Sequence, residues 1–97
     1  MEFEWDENKN RQNLEKHGIS FEEAQDIFSG VIFTSIDERD DYDEIREVSI
    51  GAIQGVVLVT VAHTERNGKI RLISARKATP KERKKYYEYL SKTITRN

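Results

Sequence analysis

The chain has no cysteine, which excludes disulfides and thiolate metal sites. The absence fits a reducing cytoplasm, the compartment expected for this protein. No apolar run approaches the roughly 20 residues of a membrane span. The opening residues Met1-Glu2-Phe3-Glu4-Trp5-Asp6 are acidic and lack the apolar stretch of a signal peptide. There is no P-loop, no Gly-rich dinucleotide turn and no H-E-x-x-H pattern. No G-x-S-x-G elbow marks a serine hydrolase. Two histidines without a cysteine make a poor zinc site, so neither a metal nor another cofactor is expected. These gaps remove most enzyme classes with a readable signature. A metal-independent nuclease survives them, since its catalytic groups need not be close in sequence.

What is present is a 97-residue chain without internal repeat, low-complexity tract or linker, read as one domain over residues 1–97. Apolar residues make up 36% and charged residues 35%, which allows one modest core under a heavily charged surface. A partner or a second copy would help stabilise so small a core. The formal net charge of −2 hides an asymmetry. Residues 1–65 hold 5 Lys/Arg against 16 Asp/Glu, a balance of −11, and residues 66–97 hold 11 against 2, a balance of +9. Such a chain can attract phosphates with one part and a basic partner with the other. The plainer alternative is a solvated surface whose charges mix in three dimensions.

Local signals divide the chain into elements. Residues 2–5 read as a short strand. Asp6 as N-cap and Gly18 just past the end bracket a helix over 6–17, although Leu14 is its only large apolar residue. Ser20 and Glu23 form a capping box that opens a second helix, closed by Gly30, with Phe21, Ala24 and Phe28 on one face and Ile27 beside them. Residues 31–36 are β-branched and aromatic and read as a strand, and the acidic stretch 37–44 reads as a loop. Three more strands follow at 45–53, 56–64 and 70–75. They are joined by Gln54-Gly55 and by Asn67-Gly68, a strong hairpin signal. The stretch 56–64 is nearly all apolar, as a central strand covered on both faces should be. Thr79, Pro80 and Glu82 open a last helix, whose apolar face is Tyr86, Tyr87, Leu90 and Ile94. The expected fold is α+β: a strand, two helices, an antiparallel four-stranded meander and a C-terminal helix.

Cleaving RNA without a metal uses the neighbouring 2′-OH as nucleophile. The hydroxyl needs a base and the leaving oxygen an acid. Cations must surround the phosphate, whose charge rises toward the transition state. His63 stands where the apolar row of Val57, Val59 and Val61 stops, and it is either a proton carrier or a hydrogen-bonded structural histidine. His17 lies in the last turn of the first helix, where a cation suits the dipole, with Lys16 beside it as a phosphate contact. Arg71 and Arg76 are five positions apart. In a regular strand they point to opposite faces, and both serve one cleft only if the strand ends or bulges before Arg76. Lys77, Lys81, Arg83, Lys84 and Lys85 continue the basic run, as phosphate contacts or as a solvated face. Tyr86, Tyr87 and Tyr89 either stack bases or belong to the core and its boundary.

Two stretches together resemble the BrnT family. The opening one is Trp5-Asp6-Glu7-Asn8-Lys9, then Asn13, then the run from Lys16-His17-Gly18 to Ala24. The closing one runs from Arg71 to Thr79, followed by Glu82-Arg83. Between them Asp43, Glu44, Arg46, Ile50 and Gly51 sit where that family often has an acidic pair, an arginine and I-G. The resemblance covers about residues 2–87. It implies a RelE-like fold and a ribonuclease that arrests translation and growth. It also implies a BrnA-like ribbon-helix-helix antitoxin as partner, in a complex that reaches promoter DNA through the antitoxin. A homodimer or a toxin–antitoxin heterotetramer is the assembly considered. By resemblance, Lys16, His17, Arg46, Arg76 and Arg83 matter most. The candidate site is therefore His17, Arg46, His63, Arg71 and Arg76 for catalysis, with Lys16, Lys77 and Arg83 for RNA binding. The acidic loop would meet basic antitoxin residues. A non-catalytic nucleic-acid-binding or co-repressor module is the alternative reading.

Overall fold

The computed structural model describes residues 1–37 and 45–94. Strand β1 (Glu2–Glu4) leads into helix α1 (Glu7–His17). The Asp6 carboxylate accepts from the N–H groups of Asn8 and Lys9, which caps α1 at its start. Helix α2 (Phe21–Ala24) opens on the expected capping box of Ser20 and Glu23. It continues as α-helix for only four residues and then tightens into a 3₁₀ helix, Gln25–Ser29. Two contacts hold that tightening in place. The Gly30 N–H closes on the Ile27 carbonyl three residues back, and Asp26 is drawn away to accept from the Gln54 N–H at 2.7 Å.

Strands β2 (Phe33–Asp37), β3 (Arg46–Ile53), β4 (Val57–Arg66) and β5 (Lys69–Lys77) form the antiparallel meander, and α3 (Pro80–Ile94) closes the chain. Asn67 and Gly68 both have positive φ, as a two-residue hairpin turn requires. The last two strands run past their apolar stretches, because so tight a turn keeps charged residues paired up to Arg66 and Lys69. The sheet has five strands in the order β1-β5-β4-β3-β2. The first strand is thus part of it, parallel to β5, where the sequence indicated only an antiparallel meander. Of the acidic stretch 37–44, expected as a loop, Asp37 ends β2, and residues 38–44 lie outside the described residues.

The two faces of the sheet carry different cores. On one face Val59, Val61, Leu72 and Ala75 pack against Ile19, Phe21, Ala24 and Ile27, all at most 5% exposed. Gly51 belongs to this face, and a Cβ there would lie 2.8 Å from the Ile27 Cβ. The close approach of the 3₁₀ helix to β3 therefore needs a residue without a side chain. On the other face Ile50, Leu58 and Ala78 meet Tyr86 of α3. No helix among the described residues is long and apolar enough to cross a membrane.

Helix α1 docks by polar side chains. Leu14 is 48% exposed, while Asn10 and Asn13 are buried. The Asn13 amide donates to the carbonyls of Ile19 and Ala75 and accepts from the Ala75 N–H. Strand β1 pairs β5 only as far as Arg71. Beyond that point Asn13 supplies to Ala75 the donor and acceptor that a neighbouring strand would have given.

Candidate functional site

The register of β4 on β5 decides which basic residues share a face. Ala62 pairs with Ser74, but His63 pairs with Leu72, so Ile73 is an extra residue in β5. This bulge lets Leu72 and Ala75, three residues apart, both face the core. It also reverses the alternation beyond it. Arg71 lies opposite Thr64 and Arg76 opposite Thr60, and those threonines are four apart in β4. Arg71 and Arg76 therefore lie on one face, which is the α3 face that also carries Ile50. The condition that the sequence set for a shared cleft is met by the bulge.

Arg46 joins them there. It stands one residue before Glu47, which pairs with His63, so it is level with Thr64. Arg46 and Arg71 thus flank Thr64 from the two neighbouring strands, roughly 10 Å apart at Cα. Arg76 is about 13 Å further along the sheet.

Each arginine has an acidic neighbour. Asp37 lies directly across from Arg46. Glu4 lies across from Arg71, with Nη1 to Oε2 at 3.5 Å. Arg76 makes a bidentate pair: Nη1 donates to Glu82 Oε1 at 2.8 Å and Nη2 to Oε2 at 2.9 Å. Glu82 also accepts from the Thr60 hydroxyl and the Thr79 N–H. The Arg76 hydrogen bond foremost, helped by those two donors, outweighs burial and lowers the Glu82 carboxyl from 4.5 to about 2. Glu82 was legible as a capping residue and as part of the closing motif. Its second role appears once β5 and the first turn of α3 meet.

The histidines are elsewhere. His63 lies on the opposite face, 5% exposed, with its ring edge-on to Phe28 at 5.0 Å. Its Nε2 shares a 2.7 Å hydrogen bond with the buried Ser49 hydroxyl, which in turn meets Thr34. Glu47 is 4.0 Å from Nδ1. Burial lowers its pKa from 6.5 to about 4, so the ring is neutral at pH 7. His63 and the arginines thus lie on opposite faces, since a strand residue at an odd offset from Thr64 faces away from them. His17 is half-buried, one turn beyond Asn13 on the same stripe of α1. That puts it at the open edge of β5, toward its C-terminal end, with exposed Lys16 beside it. Lys77 lies opposite Val59 and so leans to the face away from Arg76. Arg83 is exposed and donates to the Ala78 carbonyl at 3.3 Å.

Residues 5–82 match the family model described as the ribonuclease toxin, BrnT, of type II toxin–antitoxin systems. The chain belongs to the BrnT family. The fold agrees with the crystal structure of the Brucella abortus ribonuclease toxin BrnT. The two share 26% identity and a TM-score of 0.61, over 81% of this chain and 97% of that one. Among curated proteins, none matches this sequence. The BrnT match takes in Lys16, His17 and the three face-sharing arginines and ends at Glu82, at the start of α3. A family of type II toxins implies an antitoxin as partner.

Proposed function

We propose that this chain is the toxin of a type II toxin–antitoxin pair and acts as a metal-independent endoribonuclease that stops translation and growth. The observation that carries the reading is the common sheet face of Arg46, Arg71 and Arg76, which the bulge at Ile73 secures for the two in β5, in a chain of a ribonuclease toxin family. Arg46 and Arg71 flank the scissile phosphate and stabilise its rising charge. Arg76 and Arg83 contact the strand beyond it, and Lys16 and Lys77 bind at the sheet edge. The substrate's own 2′-oxygen attacks phosphorus and the 5′-oxygen leaves. The 2′-hydroxyl proton passes to water and the leaving oxygen takes one from water; His17, the more accessible histidine, stands at the Arg76 end of β5 and meets the RNA strand there. His63 is a structural residue in this reading. The phosphate replaces Glu4 as the partner of Arg71, so binding and an ion-pair exchange are one step. A BrnA-like ribbon-helix-helix antitoxin neutralises the toxin and brings the complex to promoter DNA. Asp40, Asp41 and Asp43, in the acidic loop, supply charge for its docking.

Induced expression in a bacterial host tests this, with wild type beside Arg46→Ala and Arg71→Ala. Wild type is expected to stop incorporation of labelled amino acid. Each variant, checked for folding by circular dichroism, should lose at least tenfold in potency, since one preorganised donor at a developing charge is worth about 10²–10³ in rate. Normal growth of all three at equal soluble levels would end the reading. The acidic partners of Arg71 and Arg76 favour one other reading, a module that binds nucleic acid without cutting it. RNA that is bound and recovered intact would decide for that.

A further inference from the structure

Helix α3 carries three tyrosines, and the fold sends them to different places. Tyr86 is buried, and its hydroxyl donates to the Val31 carbonyl at 2.9 Å. Tyr89 packs its ring against Phe33 at 5.1 Å. Tyr87 is 56% exposed, with its ring edge-on to Tyr86 at 5.9 Å. A single exposed aromatic is ordinary. This one is set in a particular surface. Lys84, Tyr87, Glu88, Ser91 and Lys92 recur at spacings of three and four and line one shallow trough of about 690 Å³ on the outer side of the helix. The whole of α3 holds five basic residues against two acidic ones.

We propose that this stripe is a second docking surface for single-stranded RNA, in which a base stacks on Tyr87 and Lys84 and Lys92 hold the flanking phosphates. Charge complementarity selects the occupant: a polyanion suits a helix of net charge +3, and an aromatic face between lysines suits a base more than a peptide. Glu88 is spaced four residues from each lysine. Tyr87 lies about 8 Å along the helix axis from Glu82, the partner of Arg76, and about 140° around it, so the stripe is on the side of α3 away from the arginine face. An RNA strand leaving Arg76 reaches it by passing round the first turns of the helix. The matched family segment ends at Glu82, before the stripe begins. The proposal rests on the ribonuclease reading and adds to it a holding site away from the chemistry.

The experiment is fluorescence anisotropy with a labelled single-stranded 2′-O-methyl oligoribonucleotide, which lacks the nucleophile and stays intact. Tyr87→Ala should weaken binding about tenfold, the scale of one lost stack. Tyr87→Phe should bind as wild type does. The double variant Lys84→Ala, Lys92→Ala should lower the slope of log affinity against log salt by about 1.4. An Arg46→Ala, Arg71→Ala variant run alongside separates the two readings. If that variant loses binding while folded Tyr87→Ala and the lysine variant bind as wild type, the stripe proposal falls and the nuclease reading stands. If wild type cleaves RNA but the oligomer does not bind, the stripe proposal falls alone. If wild type neither binds nor cleaves, both fall. Should Tyr87→Ala weaken association with the antitoxin and leave RNA binding unchanged, the surface belongs to a protein partner and the proposal is overturned.

Discussion

His63 shows how one buried residue leaves a trace in the behaviour of the whole chain. It is enclosed by Phe28 and Ser49, with Glu47 at the rim. Burial lowers its pKa from 6.5 to about 4. The unfolded chain therefore binds a proton near pH 6.5 that the native ring refuses until about pH 4. The stability this contributes is fully present above pH 6.5 and is lost as pH falls toward 4. Glu82, whose carboxyl is lowered to about 2, adds a further loss that begins only near pH 4.5. The interval between pH 6.5 and 5 thus separates the two groups. Urea denaturation at steps from pH 7.5 to 5 should show the unfolding free energy falling in that interval. His63→Gln should be less stable at pH 7.5 but flatter across it. An equal slope in both proteins would mean that the imidazole is not held neutral by the fold.

Helix α1 is an element whose docking rests on one amide. Asn13 gives and receives three buried hydrogen bonds, two of them with Ala75. Asn13→Leu keeps the volume and leaves the Ala75 N–H and two carbonyls without these partners, at a cost of roughly 2–4 kcal/mol. Asn13→Asp keeps the acceptor for the Ala75 N–H but turns the donor into an oxygen facing two carbonyls, so it should be at least as harmful. Thermal unfolding reads both, and a change in midpoint below about 2 °C for Asn13→Leu would refute the account. The same element shows what the sequence made legible. Its cap at Asp6, the capping boxes at Ser20 and Thr79, and the Asn67-Gly68 turn are local interactions between residues within four positions, and each was readable. Asn13 was visible as part of a motif, yet its partner Ala75 is 62 positions away. The parallel place of β1 and the bulge at Ile73 are likewise products of pairing. One sign of the bulge was present: Leu72 and Ala75 break a period of two. That break has meaning only once both are known to face the same core. For the candidate site, Arg46, Arg71 and Arg76 were readable as cations. Their common face was not readable, and neither was the separation of His63 from it.

At the scale of the molecule, two of the helical layers carry charge of opposite sign on opposite faces of the sheet. Glu22, Glu23 and Asp26 belong to the α2 and 3₁₀ layer on one face of the sheet, and that layer has no basic residue. Helix α3, with Lys81, Arg83, Lys84, Lys85 and Lys92, covers part of the other. Charges that mixed in three dimensions would give a protein that behaves by its net charge of −2. A polar arrangement instead presents each ligand with the face of opposite sign. At pH 7.5 and low salt the chain should therefore be retained on immobilised heparin despite its net negative charge. It should be released at roughly 0.3 M salt, where the screening length has fallen well below the width of the domain. Lys81→Gln combined with Lys85→Gln removes two exposed charges from the basic helix and should shorten retention clearly. Glu22→Gln combined with Glu23→Gln raises the net charge by the same amount that the lysine pair lowers it. Because those residues lie on the far face, retention should change little. If both pairs shift retention equally and oppositely, net charge governs binding and the polarity of the fold plays no part in it.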